Sequence, residues 1–337
     1  MPSVKVKSIA GSATFHYTIS TPKSSSAKSI DKTLPTVIFL HPVYIASELF
    51  ELQFADPNLR RFNLVALDLR GHGETSGKVG PTYGREEAAA DIVKFMEALR
   101  LPPSHFVGVS MGACISLQLA ISFPDKALSL TMVSPLPLTE PEDVAEGRME
   151  IHDCWVEAFK GGKVDQTALL DSVCGALQLG FSGQESTLVK ALTTRAVPLA
   201  LKNWGPTKLV EYRIATVDFF IKRTAQTAAA VSRIRCPVKL VHCGADIAYA
   251  IEYTEEVRAL LAANGVNVKL VEVPGAIHFG NVSNPKEINN HIANSVIDNS
   301  PGVTIPPAQA SITSPFTANL KKCGYRQAAD PDSDDDY

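Results

Sequence analysis

The sequence predicts an α/β fold, a mostly parallel sheet flanked by helices and interrupted by an inserted helical cap. Three observations predict it. Short, wholly apolar runs such as Thr36–Leu40 and residues 62–67 read as strands buried on both faces, the character of strands in a parallel sheet. These runs alternate with segments of helical periodicity, the rhythm of βαβ units. From Pro135 to about Thr227 that rhythm stops, and the segment carries helical patterns without a convincing buried strand.

In chain order, residues 4–9 and 14–19 are β-prone runs around Ala10-Gly11-Ser12, an opening hairpin. Residues 23–32, rich in serine and lysine, read as a solvated loop. Thr36–Leu40 then leads into His41-Pro42-Val43-Tyr44, and the strand at 62–67 ends in Asp68-Leu69-Arg70-Gly71-His72-Gly73. Over residues 83–99, Ile92, Phe95, Met96 and Leu99 fall on one helical face, and Leu101-Pro102-Pro103 stops the helix. Ser104–Val109 is a strand, 113–123 a helix and Ala127–Val133 a strand. Right-handed crossovers between such strands place helices on both sheet faces.

Within the insertion, residues 144–159 form a helix behind a Thr139-x-x-Glu142 capping box. The sheet resumes with a strand at 238–241, a helix at 249–263, a strand at Val268–Val273 and a helix at 285–297. The expected organisation is a core of residues 1–134 and 228–300, a cap of residues 135–227, and an acidic tail, 301–337, that is disordered.

Composition narrows the function classes. A chain of 337 residues with 45% apolar and 20% charged residues can bury a sizeable core. The formal charge of −3 sits largely in the tail, where Asp330, Asp332, Asp334, Asp335 and Asp336 outnumber Lys321, Lys322 and Arg326. That balance argues against nucleic acid or an anionic membrane as partner. There is no apolar leader or run of membrane-spanning length, so a soluble cytoplasmic protein, monomer or homodimer, is expected. Six cysteines lie scattered without metal-ligand spacing, so neither metal nor other cofactor is expected. Cys114, Cys236 and Cys243 lie in apolar segments and read as buried thiols; Cys323 reads as the exposed one.

The chemistry collects at Gly108-Val109-Ser110-Met111-Gly112, where an apolar strand passes abruptly into a helix of small residues. G-x-S-x-G in that context is a nucleophile elbow, a turn that pushes the serine hydroxyl outward. A serine hydroxyl needs a base to take its proton, and the base needs a carboxylate to orient it. Asp246 follows the 238–241 strand and His278 follows Val268–Val273. Each alone is a common turn or structural residue. Their order, Ser110 then Asp246 then His278, at successive strand ends, is the chain order of a Ser-Asp-His hydrolytic triad.

With these motifs and the Asp68-x-Arg70-Gly71-His72-Gly73-x-x-Ser76 loop, the chain resembles the α/β-hydrolase fold superfamily. The likeness is to its capped serine hydrolases, a group of small esterases, enol-lactonases and carbon–carbon bond hydrolases, and spans residues 34–298. The resemblance implies Ser110, Asp246 and His278 as catalytic residues and the backbone N–H groups of Val43 and Met111 as an oxyanion hole. It departs from the family at Pro42, Cys243, Ile247, Ala250 and Ile277, none of which removes a reacting group. His41 and His72 read as loop braces, and His105, at the far end of its strand, is poorly placed for chemistry. Tyr44, Trp155, Phe159 and Trp204 are candidates for the substrate pocket. The implied activity is hydrolysis of a small, largely apolar carboxylic ester or lactone. A carbon–carbon bond hydrolase acting on a β-diketone or ring-cleavage product, or a small-molecule receptor on the same fold, are the alternatives.

Overall fold

The structure, a computed structural model, describes residues 2–327. The opening hairpin is β1 (Ser3–Ser8) and β2 (Gly11–Ser20), followed by β3 (Thr36–Leu40), β4 (Asn63–Leu67) and the two-residue β5 (Ser76–Gly77). The later strands are β6 (Ser104–Val109), β7 (Ala127–Val133), β8 (Val238–Cys243) and β9 (Val268–Val273). They form one sheet in the order β1-β2-β4-β3-β6-β7-β8-β9, with β5 paired on β2. Strand β2 is antiparallel to both its neighbours in that order, and β4 through β9 run parallel.

Every residue of β3, β4 and β6 is buried, as the apolar runs require. Alternate side chains serve opposite faces: Ile38 and Leu40 join one core cluster, Val37 and Phe39 the other. Helices α1 (Arg85–Leu99) and α2 (Met111–Ser122) pack on the first face. Burying a side chain of this size contributes about 1.5–3 kcal/mol, so the paired layers are the main support of the sheet.

Between β7 and β8 lie α3 (Glu142–Glu157), α4 (Gln166–Phe181), α5 (Thr187–Trp204) and α6 (Leu209–Arg213), the last continuing through a π-helical turn at Ile214–Asp218. Helix α3 starts at Glu142 behind Pro141 with no side-chain cap, so the expected Thr139–Glu142 capping box does not form. Proline already supplies the extended backbone needed there, and its missing N–H makes no demand on a capping partner. Helices α7 (Ile251–Ala263), against β8 and β9, and α8 (Pro285–Asp298), against β7, complete the layers. Among the described residues no helix is long and apolar enough to cross a membrane.

The expectation of disorder from residue 301 onward fails over 301–327, while 328–337 lie outside the described residues. Helix α9 (Thr317–Lys322) docks through Phe316 and Leu320, both fully buried, and Phe316 meets Phe54 with ring centroids 5.1 Å apart. Arg60 Nη1 donates to the Thr313 carbonyl at 2.9 Å, and Arg61 Nε to that of Pro306 at 2.6 Å. A few apolar anchors thus outweigh a polar, proline-rich composition. Cys323 is consequently half-buried against this cluster, and Cys174 on α4 is the exposed thiol.

Replacing Phe316 by Ala should lower unfolding free energy in urea by about 3–5 kcal/mol, the usual loss for a buried phenylalanine. A change within the error of the extrapolation would mean that the segment contributes no packing.

Candidate active site

Two glycines bring the site together. A Cβ on Gly108 would overlap the carbonyl of Gly112, and a Cβ on Gly112 would overlap the carbonyl of Leu40. Only glycine at both positions lets β6, α2 and the end of β3 close on one another. The turn between them holds Ser110 at φ 53°, a left-handed value rarely adopted by a residue with a side chain. The chain leaves β3 toward β4 on one side and returns to β6 on the other, so this point is also where strand order reverses. Open α/β sheets place ligands at the carboxyl ends of such strands.

His278, after β9, lies within reach. Ser110 Oγ donates to His278 Nε2 at 2.9 Å, and His278 Nδ1 donates to Asp246 Oδ2 at 2.6 Å. Asp246 Oδ1 accepts from the N–H groups of Ala248 at 2.9 Å and Tyr249 at 3.2 Å, so both carboxylate oxygens are held. The side chains of His278 and Asp246 are 1% and 2% exposed, and Ser110 is equally enclosed. The departures at Cys243, Ile247, Ala250 and Ile277 therefore leave the relay continuous.

The N–H of Ser110 is spent on the Val133 carbonyl at 2.9 Å. Among the described residues neither Val43 nor Met111 donates its backbone N–H to a protein group. Both lie beside the elbow, Met111 as the first residue of α2 and Val43 three residues beyond the Leu40 carbonyl that Gly112 touches. The loop after β3 is braced by His41, fully buried: the Leu69 N–H donates to Nε2 at 2.8 Å and Nδ1 donates to the Pro42 carbonyl at 2.7 Å. Burial, only partly offset by the charge of Asp68 and the bond to Pro42, holds the His41 pKa below its usual value. His72 stacks edge-on against His41 and Trp204, and burial with the neighbouring His41 pushes its pKa down to about 3. His105 bonds Ser129 and Ser300 near the start of β6, remote from the strand ends that carry the site.

The Asp68–Ser76 loop is a scaffold. Arg70 is fully buried and grips Asp91 of α1 through Nε at 2.7 Å and Nη2 at 2.8 Å. Burial raises the pKa of Asp68, but the hydrogen bond and charge of His16, with His41 and Ser47, outweigh it and bring the value to about 2. Helix α5 is tied to these loops by Arg195, which bonds Glu48 at 3.3 Å and Glu74 at 2.8 Å, and by Asn203 Nδ2, which donates to the Gly73 carbonyl at 2.8 Å.

A cavity of about 70 Å³ lies between α4, α5 and the loop after β3, and neither Ser110 nor His278 is among its lining residues. Its lining includes Val43, Tyr44, Trp155, Trp204, Tyr212 and Phe279, with Ala176, Ala196 and Ala200 from the helices above. Tyr44, Trp155 and Trp204 thus line this cavity. Phe159 does not line it; its ring packs edge-on against Trp155 at 5.6 Å, one layer further out. Among the described residues no cluster of His, Cys, Asp and Glu could hold a metal ion.

Sequence reasoning missed two residues near the relay. Ser134, at φ 47°, donates its hydroxyl to the His278 carbonyl at 2.6 Å, and nothing in its local sequence announces this. Arg148 had a signal. It lies on the buried stripe Val144, Arg148, Ile151, His152, Trp155 of α3, a cation at an apolar position.

An open, mostly parallel α/β sheet thus carries a positive-φ serine at its switch point, hydrogen-bonded to a histidine and through it to an aspartate. Residues 35–218 match the model of the alpha/beta hydrolase fold family, so the chain belongs to that family. Over 263 residues, 75% of this chain and 84% of the relative, it is 25% identical to a 2-(acetamidomethylene)succinate hydrolase of Mesorhizobium japonicum. It is 32% identical over 92 residues, 27% of this chain, to 3-oxoadipate enol-lactonase 2 of Acinetobacter baylyi, of which the match covers 34%. For the first curated relatives the chain spans between 26% and 34% of their length. In fold it is similar to a thermophilic esterase of Thermogutta terrifontis, with TM-score 0.65 and 15% identity, covering 89% of this chain and 99% of the esterase.

The depressed histidine gives a pH expectation. His72 titrates near 3 in the folded chain and near 6.5 when unfolded, so the unfolded chain takes up its proton first as pH falls. Its contribution to stability is complete above pH 6.5 and is lost between there and pH 3, amounting to about 2 kcal/mol by pH 5. Urea unfolding at pH 7.5 and 5.0 should show a smaller pH difference in His72→Gln than in the wild type; an equal difference would contradict it.

Proposed function

We propose that this protein is a serine hydrolase that cleaves a carboxylic ester or lactone of a small, largely apolar molecule through an acyl-enzyme. The observation that carries the reading is the unbroken hydrogen-bonded series from Ser110 through His278 to Asp246. Ser110 Oγ attacks the carbonyl carbon while His278 Nε2 accepts its proton, and Asp246 stabilises the imidazolium and keeps Nδ1 protonated. The N–H groups of Met111 and Val43 receive the oxyanion, with the N-terminus of α2 adding positive potential. The imidazolium then returns its proton to the departing alkoxide. Water, deprotonated by the same histidine, releases the acid and restores the serine.

The ester or lactone bond is favoured because the chemistry needs only a carbonyl and an oxygen leaving group, and because enzymes similar to this chain carry esterase and enol-lactonase names. The helical insertion, residues 135–227, is read as a cap whose small side chains shape an apolar acyl or alcohol pocket.

Ser110→Ala should abolish turnover of a short-chain p-nitrophenyl ester with the thermal unfolding midpoint preserved. A fluorophosphonate should label Ser110 in the wild type; label on another residue, or full activity in the variant, removes Ser110 from the mechanism. Ala196→Phe, which fills the cavity, should lower kcat/KM for a hexanoate ester at least about tenfold more than for an acetate ester. An unchanged ratio would place the acyl chain elsewhere.

A further inference from the structure

The apolar stripe of α3 contains one cation, and its partners lead to the site from outside the relay. Arg148 is 1% exposed. Its Nε donates to Glu140 Oε1 at 2.6 Å, and its Nη2 to the Tyr249 hydroxyl at 3.0 Å. That hydroxyl in turn donates to Glu140 Oε1 at 2.9 Å, and the guanidinium carbon stands 3.6 Å from the centroid of the Phe220 ring. Tyr249 belongs to the acid loop. Its N–H holds Asp246 Oδ1, and its ring centroid is 5.4 Å from that of His278. The Tyr44 hydroxyl and Arg148 Nη1 are both buried, and neither has a hydrogen-bond partner among the described residues. Tyr44 directly follows Val43, at a left-handed φ of 70°.

Burying a guanidinium is unfavourable compared with an apolar side chain of similar volume, so packing alone would select leucine or methionine here. The fork of donors does what neither can. It reaches the acid loop and the strand-end loop carrying Glu140 from a single side chain. We propose that Arg148 is a positioning residue: seated from the helical insertion, it holds Tyr249, and through it the acid loop, in the register that the relay requires. The inference rests on the hydrolytic reading above. It makes the reacting geometry depend on α3 being docked, so the insertion completes the machinery as well as enclosing it.

The cluster also permits a clean test. Glu140 Oε2 accepts from Arg223 Nη2 at 3.1 Å, so Arg148→Met leaves that carboxylate paired with a cation. Tyr249→Phe removes a single hydroxyl and keeps the ring beside His278. With a short-chain p-nitrophenyl ester, each variant should lose kcat by about 10- to 100-fold, the scale of a displacement of about 1 Å in a reacting group, with KM changed less than about twofold. The double variant should be no slower than Arg148→Met alone, because both changes cut one connection. Fluorophosphonate labelling of Ser110 should slow in parallel, with thermal unfolding midpoints confirming folded protein. If Arg148→Met does not fold, Tyr249→Phe alone decides.

A reactive wild type with equally reactive single variants, or losses that multiply in the double, overturns this inference only. A wild type that hydrolyses no ester and takes no label at Ser110 overturns the hydrolytic reading and this inference together.

Discussion

The close approach of three backbone segments, permitted by Gly108 and Gly112, is the constraint on which the rest of the structure depends. Without a Cβ at either position, β6 turns into α2 within one residue and α2 lies against the carbonyl of Leu40. That contact brings the end of β3 beside the elbow and pins the serine at a positive φ, which a relaxed loop would not hold. The strain is sustained because both flanking elements are buried, β6 within the sheet and α2 packed against it, and cannot retreat.

Around this point the molecule uses polar groups as scaffold where a core alone could not set direction. His41 fixes one loop to the next, Arg70 anchors the Asp68 loop to α1, and Ser134 holds the His278 carbonyl. Each partner is buried and hydrogen-bonded, which is the condition under which polar side chains confer a single geometry instead of a penalty. The insertion joins the same system from above, through Arg195 to Glu48 and Glu74 and through Arg148 to Tyr249.

Much of the core was legible because its strands are short apolar runs and its helices have one apolar face; Thr36–Leu40, Ser104–Val109 and Ala127–Val133 match the sequence reading residue for residue. The elbow serine was legible because its glycines carry a local steric meaning. The tail was misread because composition averages over a segment, whereas Phe316 and Leu320 dock individually. The capping box failed because Pro141 occupies the position where the cap would act. Phe159 packs on Trp155 and does not line the cavity; helical spacing says that a ring faces inward, not what it meets.

By itself, the sequence determined the alternation of strand and helix, the turn at Ser110 and the order of serine, aspartate and histidine along the chain. These follow from local sterics, hydrophobic period and side-chain chemistry, all of which are properties of neighbouring residues. Only the tertiary structure decided that His278 stands 2.9 Å from Ser110, that Ser134 and Tyr249 support the relay, and that Arg148 reaches it from the insertion. Those contacts join residues up to 168 positions apart. Their geometry comes from how layers pack on a twisted sheet, which no window of sequence contains.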